Sequence, residues 1–393
     1  MRRTLFRVFL VLLAVLPFSP VSQAQHAFEL PMPIPPWVKE GACVVYTVQT
    51  GGRAWEEMGS AIALTGYTIL LVTNVEGKRV YGLEIRLFNP SGTWNTNTAV
   101  KLLNTPFSFL SIAPDVVETI LRESERYAEQ GILVEGGPVG NDLFYFAMTS
   151  RRDNEEIVTS YEYSRDGVIK RGSFTRRSAK GVEAASVELV GVYEVELPTV
   201  SETPAVAKQS VAYGCSQGSM GVWVPCGRVE LMFEKMDGSI SRYRHSVNGQ
   251  VTQTTVLGTP LFGPFYLHPE LLRRKTILAI PEIDFRIETA GVGQRGGTLV
   301  IFSIGGQVAS QGEYDPATGL LWNVTFQEMG LTVNLELLQG GLPSNGGNVT
   351  PPSDGGDAEQ EVLTTPYSGE VGQEEEMFLF PSGEEGFLGT ESE

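Results

Sequence analysis

Three histidines and three cysteines in 393 residues leave little for a metal centre. A zinc or similar site needs several convergent ligands, and no HExxH, CxxC or EF-hand spacing occurs. His26 lies near the N-terminus, His245 in a strand-like run and His268 just before a proline. No metal and no other cofactor is expected. Positive charge is also scarce. Beyond Gly340 there are twelve acidic residues and no basic one, and the stretch from Gln25 to Gly340 holds 26 basic against 34 acidic residues, a net charge of −8. Such a body repels phosphate backbones, which excludes nucleic acid as the expected partner. Past Phe18 no run is long and apolar enough to cross a bilayer as a helix.

What stands at the N-terminus reads as an address. Arg2, Arg3 and Arg7 form a basic n-region, Val8–Phe18 is a short apolar h-region, and Ser22-Gln23-Ala24 offers small residues for cleavage. The expected mature chain begins at Gln25, and the expected location is secreted, periplasmic or cell-surface. Arg2-Arg3-Thr4-Leu5-Phe6-Arg7 faintly resembles a twin-arginine signal, but the strongly apolar h-region fits the ordinary secretory route better. In an exported chain three cysteines predict one disulfide and one leftover thiol. Cys215 and Cys226 flank the glycine-rich "SQGSMG" and form the expected pair; Cys43, within "ACVVYTV", reads as a small buried hydrophobe.

The chain repeats itself. "WVKEGACVVY" (37–46) matches "WVPCGRVELMF" (223–233), "TPFSFLSIAPDVV" (105–117) matches "TPLFGPFYLHPELL" (259–272), and "EYSRDGVI" (162–169) matches "EYDPATGLL" (313–321). Three matches in the same order point to a tandem duplication. The dominant period is two. In "YGLEIRLF", Leu83, Ile85 and Leu87 share one face and Glu84 and Arg86 the other. Turn signals such as "VNGQ" and "DPATG" separate such runs, as hairpins require. Each copy also carries one helix signal. Pro114 opens the first, with Val116, Val117, Ile120, Leu121 and Tyr127 as its apolar stripe and Gly131 as its stop. Pro269-Glu270 opens a shorter one through Leu271 and Leu272.

The expected fold is mainly β: two duplicated antiparallel curved-sheet modules, each with a covering helix, and a disordered acidic tail. The boundaries read as a signal peptide over 1–24, module one over 25–198, a linker over 199–212, module two over 213–340 and the tail over 341–393. Within the tail, Met377–Phe380 and Phe387-Leu388 interrupt the acids. Alternation of this kind either docks on an envelope protein partner or is plain tail, and plain tail is the expectation.

Gly214–Gly218 spells G-C-S-Q-G, which matches the G-x-S-x-G nucleophile elbow of serine hydrolases and locally resembles the G-Y-S-Q-G of cutinases. An elbow needs a strand before it and a helix after it. Here "QGSMGVWVPCG" follows, which cannot be a helix, so Ser216 is expected in a turn closed by Cys215, and no catalytic residue is assigned. A glycosidase-type carboxylate pair would be the third-ranked reading, with no residues to name. Trp94, in the polar "NPSGTWNTNTAV", is expected to fold onto its own loop rather than serve as a sugar-stacking or partner-binding aromatic.

These features suggest an exported non-enzymatic protein. Its first candidate ligand is a lipid or other hydrophobic small molecule, held between sheet and helix by Val116, Val117, Ile120, Leu121, Leu271 and Leu272. The alternative is a structural or adhesive envelope component. Because residues 341–393 are too acidic and too poor in apolar side chains to form a core, deleting them should leave the melting temperature of the body unchanged. A drop of several degrees on truncation would show that Met377–Phe380 docks on the body.

Overall fold

The computed structural model describes residues 34–52, 64–89, 92–104, 110–129, 131–152, 155–178, 181–200, 210–219, 222–237, 239–328 and 331–340. The signal segment, the centre of the linker, Thr105 and the acidic tail lie outside them.

The first half forms one nine-stranded sheet. Its strands are β1 (Ala42–Gly52), β2 (Leu64–Glu76), β3 (Arg79–Phe88), β4 (Asn95–Leu102), β5 (Ile132–Pro138), β6 (Leu143–Arg152), β7 (Glu155–Ser164), β8 (Ile169–Ser178) and β9 (Gly181–Glu194). The second half opens with β10 (Val211–Ser219), β11 (Val222–Asp237), β12 (Ile240–Val247) and β13 (Gln250–Gly258). After the small hairpin of β14 (Phe262–Gly263) and β15 (Tyr266–Leu267) come β16 (Thr276–Ile280), β17 (Phe285–Val292), β18 (Thr298–Ile304), β19 (Gln307–Tyr314), β20 (Leu321–Glu328) and β21 (Leu331–Gly340). Spatial order is 4-3-2-1-9-8-7-6-5 in the first sheet and 13-12-11-10-21-20-19-18-17-16 in the second, with every pair antiparallel. Each copy is thus a meander whose first strand returns to pair with its last. Bulges at Val45/Tyr46 and Glu162/Tyr163 in copy one, and at Ala212/Tyr213 and Glu313/Tyr314 in copy two, add the twist that curls the sheets.

The duplication is visible in this topology, with one correction. Pro114 opens the helix after β4 and Pro269 the helix that follows β13 and the small hairpin, and Tyr163 and Tyr314 lie at the end of the strand before the last hairpin. Trp37 and Trp223 are not equivalent. Trp37 precedes β1 and donates its indole N–H to Asp166 O at 3.0 Å, whereas Trp223 lies on β11, the counterpart of β2, and is half exposed. The true counterparts are the buried Tyr46 on β1 and Tyr213 on β10. Their hydroxyls donate to Ile169 O (3.2 Å) and Leu321 O (2.9 Å), at the start of equivalent strands. The tryptophan-and-glycine match of the sequence is therefore one strand out of register.

Copy one's helix is broken. The structure has α1 (Pro114–Arg122) and α2 (Ser124–Glu129) in place of one helix to Gly131, because Glu123 leaves helical geometry (ψ 16°). Proline at the first turn, Asp115 beside it and Arg122 in the last turn all suit the helix dipole. In copy two α3 (Pro269–Leu272) is capped by His268, whose Nδ1 accepts from Glu270 N at 3.1 Å. The hairpin "VNGQ" turns through Asn248 (φ 51°) and Gly249 (φ 77°), the left-handed pair that a two-residue turn demands.

The two sheets share a core. Cys43, Val45, Ile69, Leu71, Leu83, Ile85 and Leu87 on the outer face of β1–β3 belong to the same buried cluster as Tyr213, Leu231, Leu271 and Phe285 of copy two. Strand β4 lies against β13, β19 and β20. The contact also carries polar links: Asn74 Nδ2 donates to Ser239 Oγ at 2.7 Å, and Arg274 donates to Glu196 O. Trp94 does not fold onto its own loop. It stacks on Tyr67 (centroids 5.9 Å, 29°) and packs on this shared core. Because copy one leaves seven apolar side chains for copy two to cover, residues 25–198 expressed alone should bind a hydrophobic dye and self-associate. A monomeric, dye-silent module would show that the shared core is dispensable.

Candidate ligand-binding interior of the first copy

Two candidate places for function lie on the two faces of copy one. Its inner face holds a second core of Val44, Tyr46, Val48, Leu70, Val72, Val80, Phe146, Tyr161, Tyr163 and Val187. Among the helix residues proposed from sequence, Val117 is fully inside this core, Ile120 and Leu121 pack on it half-buried, and Val116 is half-buried. Leu271 and Leu272 are buried in the shared core of copy two. Val117, Ile120 and Leu121 thus pack on the inner core of copy one, and Leu271 and Leu272 on the shared core.

The inner face changes character towards β4 and towards β6–β8. Register places Arg86 beside Thr68 and Asn97, Glu84 beside Leu70 and Ala99, and Lys101 beside Gly82, all on the side that elsewhere carries the inner core. Glu84 holds two cations: Arg86 NH2 at 3.1 Å and Lys101 Nζ at 2.5 Å. Side-chain exposures of 13% for Glu84, 19% for Arg86 and 34% for Lys101 make this a largely desolvated cluster that solvent reaches at the lysine. Burial alone would raise the Glu84 carboxyl, but the charges of Arg86 and Lys101 and their hydrogen bonds overcome it and hold the pKa at about 2. Burial pushes Lys101 down, against the pull of Glu84. Across the sheet, the inward positions Met148, Thr159 and Phe174 are half-exposed rather than sealed. Sequence alternation grouped Glu84 with Arg86; nothing in the pattern said that their side was the inner one.

The outer face of β6–β9 and β1 carries a polar trough of about 340 Å³. One register row crosses it: Tyr145, Glu162, Arg171, Glu188 and Thr47. Arg171 reaches Glu188 at 3.0 Å and Glu162 at 4.0 Å. A second row brings Ser160, Ser173, Ser186 and Gln49 alongside, with Ser160 and Ser173 hydroxyls 2.7 Å apart. Burial, then the Glu135 carboxylate, raises the Tyr145 phenol.

Ser216 is not in a turn. The whole G-C-S-Q-G stretch lies within strand β10, where Ser216 pairs with Pro225 and Asn334, so the strand–turn–helix setting of an elbow is replaced by continuous sheet. Cys215 and Cys226 are disulfide-bonded across β10 and β11 (Cα–Cα 5.1 Å), at the bulge that follows Cys215. Cys43 is free and fully buried, and burial pushes its thiol up to about 12, so it stays protonated. Among the described residues no group of three or more His, Cys, Asp or Glu is placed to hold a metal, and no helix is long and apolar enough to cross a membrane.

No family model matches the chain, and no curated protein does. A similarity is found to the crystal structure of a protein of unknown function from the DUF3598 family of Nostoc punctiforme. It has 10% identity and spans 75% of this chain and 95% of that one, with a TM-score of 0.14. At that score it assigns this chain neither a fold nor an activity.

His245 gives the interior of copy two a pH dependence. It is fully buried on β12 opposite Leu231, and desolvation lowers its pKa to about 4. The folded state therefore excludes the proton that an unfolded histidine binds below about 6.5. Stability is complete above pH 6.5 and should fall by on the order of 3 kcal/mol as pH drops towards 4. Denaturant titrations across that window should show the loss in the native chain and a flatter profile in His245→Gln.

Proposed function

We propose that the chain is an exported, non-enzymatic binding protein whose first copy takes a lipid or other hydrophobic ligand in its interior. The observation that carries this reading is the inner face of copy one. A sealed apolar core of Val117, Tyr46 and Val187 gives way there to half-exposed Met148 and Phe174 on one flank, and on the other to Ala99 beside the Glu84–Arg86–Lys101 cluster. Concave apolar surface with a few converging polar groups is how small-molecule sites are built. Two cations sharing one carboxylate suit a ligand with an apolar body and one acidic head. Val116, Ile120 and Leu121 supply the helix side of the cleft; in copy two Leu271 and Leu272 sit in a core that side chains of β1–β3 fill, so the ligand is assigned to copy one.

The disulfide across β10 and β11 fits an oxidising compartment outside the cytoplasm, in keeping with the address read at Arg2–Ala24. The acidic segment beyond Gly340 would then be offered to an envelope partner.

Native mass spectrometry of the purified chain with added oleate or phosphatidylglycerol tests the ligand reading. One molecule per chain is expected, with affinity for the anionic lipids reduced by about tenfold in Lys101→Met, as loss of one charge-assisted contact implies. Absence of bound or added lipid, or binding indifferent to Lys101→Met, would overturn the carrier and favour the structural or adhesive alternative.

A further inference from the structure

The outer trough of copy one has a counterpart in copy two, and there it is filled. Aligning the copies on Tyr163 and Tyr314 makes Glu162 equivalent to Glu313, Arg171 to Asn323 and Glu188 to Glu336, because the cross-strand pairs Glu162–Arg171–Glu188 and Glu313–Asn323–Glu336 are the same register row. In copy two the loop 293–297, Gly-Gln-Arg-Gly-Gly, folds down onto this row. Glu313 accepts from Arg295 N at 2.8 Å and Gly297 N at 2.9 Å, and the Arg295 guanidinium pairs with Glu336. Glu313 is left 2% exposed. The seat is close: a Cβ on Gly293 would lie 2.3 Å from the Glu313 carboxyl carbon, and one on Gly297 2.9 Å from the Trp322 ring.

Copy one keeps the carboxylates and lacks the loop. Its equivalent connection, Val139-Gly140-Asn141-Asp142, is short and has no basic residue; it closes on itself through Val139 N to Leu143 O at 2.8 Å. Glu162 and Glu188 accordingly stay 36% and 61% exposed at the side chain, and among the described residues their ion pairs in this row are with Arg171. The trough is lined by two carboxylates and one guanidinium, and a third carboxylate, Glu135, accepts from the Tyr145 hydroxyl at its end.

We propose that this trough is a docking site for a basic, glycine-containing loop of a partner protein, bound as copy two binds its own loop. The partner's backbone N–H groups go to Glu162, whose contact with Arg171 is long at 4.0 Å, and its arginine or lysine goes to Glu188. Charge complementarity points the same way, since the body carries a net −8 and attracts cationic partners. The site stands apart from the interior ligand cleft, and neither depends on the other.

The test uses the full chain and a cyclised synthetic peptide with the sequence of residues 291–299, followed by calorimetry and by NMR shifts at the trough. Binding is expected, weakened at least about tenfold by Glu162→Gln and by replacing the peptide's arginine with alanine, as loss of a hydrogen bond to a charged group implies. Glu162 is exposed, so the variant should melt with the native chain, which separates lost docking from lost fold. As a second measurement, grafting loop 293–297 in place of residues 139–142 should close the trough and abolish peptide binding. No binding, binding unchanged in Glu162→Gln, or binding retained after the graft would overturn the proposal. A glycan bound at Glu162 in preference to the peptide would overturn it as well.

Discussion

The first half of strand β1, residues 42–46, has no free surface. The strand's edges bond β2 and β9, its side chains Val44, Tyr46 and Val48 face the interior of copy one, and Cys43 and Val45 face copy two. A stretch buried on both faces must be apolar on both, and "ACVVY" satisfies this. Copy one closes because β1 holds its last strand, and the two copies join because β1–β3 offer their outer face. Tyr46 adds a hydroxyl anchor to Ile169 O from inside the barrel-like curl, and Tyr213 repeats that anchor in copy two. The chain that leaves β9 and enters the linker is drawn into the same arrangement. Val195 donates to Gly41 O at 2.8 Å, and Leu197 and Val200 pack on the shared core.

Duplication supplied two equivalent scaffolds, and the differences between them mark where each has specialised. The Glu-Tyr pair before the last hairpin is present in both. In copy two the glutamate is a structural acceptor for backbone N–H groups, the arrangement that makes a buried carboxylate tolerable. In copy one the same glutamate is at the surface, and an arginine on the neighbouring strand stands where copy two has Asn323. Moving one arginine between strand and loop converts a sealed row into an open trough.

The sequence made the β class, the tandem copies, the helix openings at Pro114 and Pro269 and the Cys215–Cys226 bond legible, because each rests on local chemistry or on order along the chain. Alternation in "YGLEIRLF" correctly grouped Leu83, Ile85 and Leu87. It could not say that the apolar side faces another module while Glu84 and Arg86 face inward, since period two fixes which residues share a face and leaves open which face is inside. The single long helix failed at Glu123 for a related reason: the apolar stripe continues through Tyr127, but the chain must bend there to reach β5. The ladder at Glu162 was beyond reach. Its members are separated by up to 141 residues, as Thr47 and Glu188 show, and only the register unites them.

The two buried glutamates make the case for the interior more sharply than cavity shape does. Glu313 is explained by folding alone: its oxygens receive two backbone N–H groups and an amide, and they pin a loop that would otherwise expose its own donors. Among the described residues the partners of Glu84 are the cations Arg86 and Lys101, and those cations bring their own desolvation cost. Hydrophobic residues of similar volume would often serve stability as well as a buried ion cluster or better. Structure at Glu84 is thus not self-explanatory in the way it is at Glu313. What distinguishes its surroundings is access: Lys101 is a third exposed, and Ala99, Met148, Thr159 and Phe174 are half-exposed on the same inner surface. A charged cluster that apolar residues could often replace without loss of stability, set where solvent reaches its lysine, is in keeping with the ligand proposed for this interior.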